Sequence, residues 1–152
     1  MNSVSVKNIK KKFKTKEALK GISVAFKKNS ITGLLGPNGS GKTTLFNIIT
    51  GFVDPDAGSI YIDDEDVSSY SLHRRSELGL TYLPQEASIF RDLTVYENIL
   101  SVAELFIAKD RISEKVNQLI RDFSLEEFIK RKGKFLSGGE RRRTEIARAL
   151  AC

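Results

Sequence analysis

The stretch Gly36-Pro37-Asn38-Gly39-Ser40-Gly41-Lys42-Thr43 restricts this chain more than any other, because it fits G-x-x-x-x-G-K-[ST]. It is preceded by ITGLLG (Ile31 to Gly36), a short apolar run of the kind expected of a strand buried on both faces. It continues through Thr44 into LFNIITG, which reads as a helix closed by Gly51. Gly39 and Gly41 let the backbone curl so that successive N–H groups point inward at phosphate oxygens, and the following helix adds its positive N-terminal end. In such a loop Lys42 reaches the β- and γ-phosphates and the Thr43 hydroxyl ligates Mg²⁺. A glycine-rich turn that merely matched the pattern would have no reason to join a strand to a helix. The segment is read as a nucleotide-phosphate site.

The rest of the composition is that of one ordinary domain. The 152 residues are 40% hydrophobic and 29% charged, a balance typical of globular chains. No apolar run approaches the roughly 18 residues of a membrane span, so any membrane work would need another chain. The N-terminus, MNSVSVKNIKKKF, lacks the apolar core of a secretory signal. A single cysteine, Cys152, leaves no internal disulfide and fits a reducing cytosol. The net charge of +6 raises the question of a nucleic-acid partner, with lysines dense between Lys7 and Lys20 and a second cluster at Arg141, Arg142 and Arg143. Base-stacking aromatics are not interleaved with these charges, so a solvated face is the expectation and nucleic acid is not expected as a partner.

Along the chain there is no repeat, low-complexity tract or linker. Val4 and Val6 alternate with polar residues, as do those of LKGISVAF (Leu19 to Phe26), which predicts two half-buried strands. Two further strands are expected, in SIYID after the Pro55–Gly58 turn and in LGLTYLP (Leu78 to Pro84). From Thr94 the period becomes helical. Three capping-box signatures are present, Thr94/Glu97, Ser124/Glu127 and Ser137/Glu140, and Ile112, Val116, Leu119, Ile120 and Phe123 share one helix face. The order predicts an α/β core with a helical insert.

The last helix opens on Leu136-Ser137-Gly138-Gly139-Glu140. Two glycines in a first turn cost roughly 1 kcal/mol each against alanine; what they allow is close approach of the backbone to an anion, with Ser137 adding a hydroxyl. Together with the phosphate loop, this motif makes the whole chain resemble the ATP-binding subunits of ABC transporters. The resemblance implies a P-loop NTPase core with an antiparallel β subdomain and a helical subdomain at about 92–135, all within a partial domain spanning 1–152. Phe13 matches the family's adenine-stacking aromatic, and Gly36 to Thr43 its Walker A loop. Gln85 matches the Q-loop glutamine that helps hold Mg²⁺ and senses the membrane partner. Ser137, Gly138 and Gly139 match the signature, which in a head-to-tail homodimer meets the ATP on the other subunit's Walker A loop.

A narrower resemblance, carried by TYLPQEASIFRDLTVYENI (Thr81 to Ile99) and LSGGERRRTEIARALA (Leu136 to Ala151), is to the ATPases of bacterial lipopolysaccharide-export systems. It implies a peripheral protein on the cytoplasmic face of the inner membrane. Glu86, Ser88, Ile89, Phe90 and Arg91 would line a groove for transmembrane subunits, unless Ile89 and Phe90 are core residues under a loop. Importer ATPases for branched-chain amino acids are the nearest alternative, with FNIITGF (Phe46 to Phe52) in their favour. A soluble ABC protein acting without a transporter is a second. In the family, the aspartate that holds Mg²⁺ through water and the glutamate that orients the attacking water follow the signature helix. The resemblance therefore implies a C-terminally incomplete cassette, inactive by itself. SIYIDDED (Ser59 to Asp66) imitates that missing strand, but its alternation marks a one-sided strand ending in a solvated turn. His73 is read as a surface residue, and Cys152 is assigned no role.

Overall fold

The computed structural model describes residues 3–152 and divides the chain into two compact units, Met1–Leu80 and Thr81–Cys152.

The first unit is built on a four-stranded antiparallel sheet in the order β2-β1-β3-β4. Its strands are β1 (Val4–Phe13), β2 (Lys16–Phe26), β3 (Ala57–Ile62) and β4 (Glu65–Asp66). β1 is longer than the Val4/Val6 alternation foretells, and a bulge explains why. Val6 and Ile9 are both buried although three positions apart, an odd spacing that would put them on opposite faces of a regular strand. The pairing with β2 shifts between Val6 and Ile9, and that with β3 between Lys7 and Lys10. Asn8 takes a φ of 52° there, so the extra residue restores both side chains to one face. Gly58 (φ 97°) makes room for the bulge, since a Cβ on it would lie 2.5 Å from the carbonyl oxygens of Lys7 and Asn8.

Helix α1 (Lys42–Thr50) lays Leu45, Ile48 and Ile49 on the core formed by Val6, Ile9, Leu19, Ile60, Ile62 and Val67. It ends as expected at Gly51 in the left-handed conformation. Its last carbonyls have a partner not foreseen in the sequence. The short helix α2 (Leu72–Glu77) carries Arg75, which is 1% exposed and donates to the carbonyls of Ile48 (2.6 Å) and Ile49 (2.8 Å). The same guanidinium also donates to the carbonyls of Tyr70 and Ser68.

Two expected strands do not form. Residues 31–36 and 78–84 lie outside the sheet, and Ile31 and Leu35 are exposed. A strand buried on both faces requires a hydrogen-bonding neighbour and an apolar layer on each side. None of the four paired strands lies beside 31–36.

The second unit is helical. α3 (Val95–Phe106), α4 (Lys109–Asp122) and α5 (Gly138–Ala149) enclose a core of Val95, Ile99, Ala103, Val116, Leu119, Ile120, Leu125, Leu136, Ala147 and Ala151. Ile112 and Phe123 pack against it from the expected face of α4. Capping boxes at Thr94/Glu97 and Ser137/Glu140 are complete, each hydroxyl accepting from the glutamate N–H while the carboxylate accepts from the cap N–H. The third signature fails. Ser124 stands just past the end of α4 with φ 49°, and the following 3₁₀ turn (Glu126–Phe128) has no side-chain cap. The N–H of Leu125 returns to the Ile120 carbonyl, so Ser124 terminates one helix and does not open another. Besides the expected helical stretch at 92–135, this unit holds residues 81–91 and α5.

Candidate functional site

In the first unit the phosphate loop wraps the start of α1. Gly41 is the N-cap (φ 93°), no side chain caps the helix, and its first turn contains no acidic residue. The N–H groups of that turn have no intrahelical acceptor by construction, so the positive helix end is open to an anion. A Cβ on Gly41 would lie 2.6 Å from the Ala18 carbonyl oxygen and 2.7 Å from Leu19 Cδ2, which explains how closely the loop follows β2. Gly39 (φ 80°) has nothing within 4 Å, so there the backbone conformation itself calls for glycine. Lys42 Nζ donates to the carbonyls of Gly36 (2.6 Å) and Pro37 (2.8 Å), which folds the ammonium back over the loop. Pro37, Asn38, Ser40 and Thr43 are exposed or half-buried, as is Thr44. These features fit a phosphate chain: an uncapped helix end, a cation held only by carbonyl acceptors, and a hydroxyl at Thr43. Phe13, 47% exposed, ends β1 at the turn into β2, with Lys11 Nζ 5.6 Å from its ring centre. Its ring is open to a planar group, and the strand it leads into carries Ala18, against which Gly41 rests.

In the second unit, Ser137 N–H donates to Glu140 (2.8 Å), and Glu140 also meets Arg131 at 3.5 Å. The Ser137 hydrogen bond is the main cause holding the Glu140 carboxyl below its usual range. A Cβ placed on Gly138 or Gly139 would meet no atom within 4 Å, and neither residue has a positive φ. Nothing within the unit demands glycine at either place. Their occurrence at a helix start runs against helix propensity.

Residues 84–91 are held by side chains to which the sequence reading gave no site role. Glu145 on α5, 2% exposed, accepts from the N–H groups of Ser88 (2.7 Å) and Ile89 (3.1 Å). Arg148 donates to the carbonyl (2.8 Å) and hydroxyl (2.9 Å) of Ser88, and Arg142 donates to the Pro84 carbonyl (2.9 Å). From α3, buried Asn98 accepts from Phe90 N–H (2.9 Å) and donates to the carbonyls of Phe90 (3.1 Å), Leu93 and Thr94. Gly133 lets the turn before α5 pass beneath, since a Cβ there would lie 2.8 Å from the Phe90 carbonyl. The segment presents Gln85, Glu86, Arg91 and the 51% exposed Phe90 ring, over which Arg148 sits at 4.8 Å. Ile89 instead packs partly against the helical core. Two signals in the sequence point to this network: Asn98 interrupts the apolar face of α3, and Arg142, Glu145 and Arg148 recur every third residue along α5. Arg143 likewise donates inward, to the carbonyls of Phe123 and Ser124.

SIYIDDED forms β3 and the turn to β4, with Ile60 and Ile62 buried and the acids exposed, as its alternation implies. His73 is a surface residue beside Glu77, at 3.6 Å. Cys152 is an exposed free thiol just beyond α5. Among the described residues, no helix is long and apolar enough to cross a membrane, and no group of acidic, histidine or cysteine side chains could hold a metal by itself.

The ABC transporter family model matches residues 19–152. The lipopolysaccharide export system ATP-binding protein LptB of Haemophilus influenzae is 46% identical over 99% of this chain, and that of Escherichia coli K12 is 45% identical over the same share. The chain spans 64% of the length of each. An ABC transporter ATP-binding protein of Rhizobium meliloti is 48% identical over 95% of the chain and 54% of its own length. Among solved structures, an ATP-binding cassette of an ABC transporter in its ADP conformation superposes with a TM-score of 0.81 at 31% identity, over 99% of this chain and 65% of its own. A dimeric cassette bound to ADP and phosphate after hydrolysis gives 0.82 at 28% identity, over 97% of this chain and 69% of its own. Motifs, local geometry and the match over residues 19–152 agree: this chain belongs to the ABC transporter family.

Proposed function

We propose that the chain is the nucleotide-binding part of the ATPase subunit of a lipopolysaccharide exporter. The observation that carries the nucleotide reading is the uncapped start of α1, with Gly41 pressed on β2 and Lys42 folded over the loop carbonyls. The loop N–H groups and Lys42 hold the phosphates of ATP, and Phe13 stacks on adenine. Thr43 would hold Mg²⁺, which would neutralise charge building up on the β- and γ-phosphates, and Gln85 keeps its reading as a Q-loop glutamine from the motif match alone. Ser137, Gly138 and Gly139 meet the ATP of a second, identical subunit, a reading supported by two glycines that face open space and by the dimeric relative bound to ADP and phosphate. The export reading is supported by identity with the two LptB proteins over 99% of the chain. Glu86, Phe90 and Arg91 form the surface that receives transmembrane subunits, placing the protein peripherally on the cytoplasmic face of the inner membrane, and 92–135 is the helical subdomain. We also infer that residues 3–152 by themselves bind nucleotide without sustained turnover, a reading supported by the exposed acids of Ser59–Asp66, which follow a one-sided strand.

The test uses the full-length protein. Lys42→Ala should abolish ATP hydrolysis and weaken ATP binding about tenfold or more, a loss of about 1.4 kcal/mol. Phe90→Ala should reduce co-purification with the transmembrane subunits about thirtyfold, the loss of an anchor worth about 2 kcal/mol, while ATP binding by the isolated subunit stays unchanged. Intact assembly and transport in Phe90→Ala would refute the docking assignment. Unchanged hydrolysis in Lys42→Ala would refute the nucleotide site.

A further inference from the structure

Helix α5 serves two places along its length. Its first turn holds Ser137, Gly138 and Gly139, and its buried face holds Glu145 and Arg148, which grip the backbone of Ser88 and Ile89. From Ser137 to Glu145 the rigid helix rises about 12 Å. Two consecutive N–H groups converge on one carboxylate oxygen of Glu145, and its other oxygen meets Arg142 at 3.3 Å. Arg148 reaches the Ser88 carbonyl and hydroxyl with one nitrogen, while its burial lowers its pKa against the opposing pull of Glu145. Asn98 then closes the loop from the α3 side through Phe90 N–H and C=O. These bonds from Glu145, Arg148 and Asn98 engage the backbone of Ser88, Ile89 and Phe90, with the Ser88 hydroxyl added. The grip therefore holds the path of the chain, and sliding the segment along α5 would leave one buried oxygen of Glu145 without its two N–H donors, which is disfavoured.

We infer that Glu145 is a positioning residue that makes the signature end of α5 and the exposed segment 84–91 move as one body, with Arg148 and Asn98 completing the clamp. A displacement imposed on Ser137–Gly139 by nucleotide is passed to Phe90 and Arg91 through these bonds, without a step through the apolar core. This rests on the reading of 137–139 as a nucleotide contact and of 84–91 as the docking surface.

The experiment is amide hydrogen exchange on the full-length protein, with and without a non-hydrolysable ATP analogue and Mg²⁺. In the wild type, nucleotide slows exchange in both 137–141 and 84–91, by about tenfold or more for a coupling of ordinary size. Glu145→Ala keeps the nucleotide response at 137–141 and loses it at 84–91. Glu145→Gln, which retains an oxygen for both N–H groups, restores it. Should Glu145→Ala fail to fold, Arg148→Lys, which removes the planar fork from Ser88 but keeps the charge, gives the same split. A response at 84–91 that persists in these variants, or that is missing from the wild type while 137–141 responds, overturns the inference. Failure of the underlying readings looks different: no nucleotide response at 137–141 in any variant refutes the signature contact, and intact assembly in Phe90→Ala refutes docking.

Discussion

Replacing Gly41 by alanine combines two separate penalties in one residue. Gly41 has a φ of 93°, a conformation that costs an L-residue roughly 1–2 kcal/mol. The new Cβ would also stand 2.6 Å from the Ala18 carbonyl oxygen and 2.7 Å from Leu19 Cδ2. Leu19 Cδ2 can turn aside, but Ala18 is backbone within β2, so the loop itself must lift. Overpacking of that kind costs roughly 1–3 kcal/mol, and the two penalties together come to roughly 2–5 kcal/mol. Gly39→Ala supplies the control, because its φ is 80° and nothing lies within 4 Å. It should show only the conformational part, roughly 1–2 kcal/mol. The difference between the two variants isolates the contact with β2. Denaturant unfolding of the full-length protein, followed by far-ultraviolet circular dichroism, gives both values, and nucleotide titration of the same samples gives the consequence for the site. Lifting the loop turns its N–H groups off the phosphates, so Gly41→Ala should lose about tenfold or more in affinity, about 1.4 kcal/mol. Equal destabilisation by the two variants, or a smaller effect for Gly41→Ala, would show that contact with β2 does not shape the loop.

Thr94→Ala and Ser137→Ala should each cost about 1 kcal/mol, whereas Ser124→Gly should be neutral or stabilising because Ser124 caps nothing and sits at φ 49°; unfolding midpoints rank the three. Arg75→Met leaves the carbonyls of Ile48, Ile49, Ser68 and Tyr70 short of a buried donor, and should destabilise by about 3 kcal/mol or more, measured the same way. Glu97 and Glu140 are both held below their ordinary value of 4.5, first by the N–H of Thr94 and of Ser137. A depressed folded pKa means their contribution is fully present above pH 4.5 and is lost as pH falls below it through the lowered values. Unfolding midpoints followed downward from neutral pH through that window should therefore fall less steeply in the Glu97→Gln, Glu140→Gln double variant.

Features set by neighbouring residues were legible in the amino-acid order alone. The phosphate-loop motif, α1 and its Gly51 end, the two completed capping boxes and the apolar face of α4 all depend on groups a few positions apart, whose hydrogen bonds and side-chain faces follow from helix geometry. Even the decoy acids of Ser59–Asp66 were separable by strand alternation. The remaining features depend on residues distant along the chain, and folding was needed to reveal them. ITGLLG has the composition of a buried strand, yet strand formation requires neighbours to take its backbone hydrogen bonds, and the described sheet offers none. The bulge at Lys7–Ile9 is set by pairing to two strands at once. The partners of Arg75, Asn98, Glu145 and Arg148 came only with the structure, because a polar group becomes a clamp only when folding removes its water and aims it at a particular backbone. A local pattern fixes which groups a segment must satisfy, and long-range packing decides which other segment satisfies them.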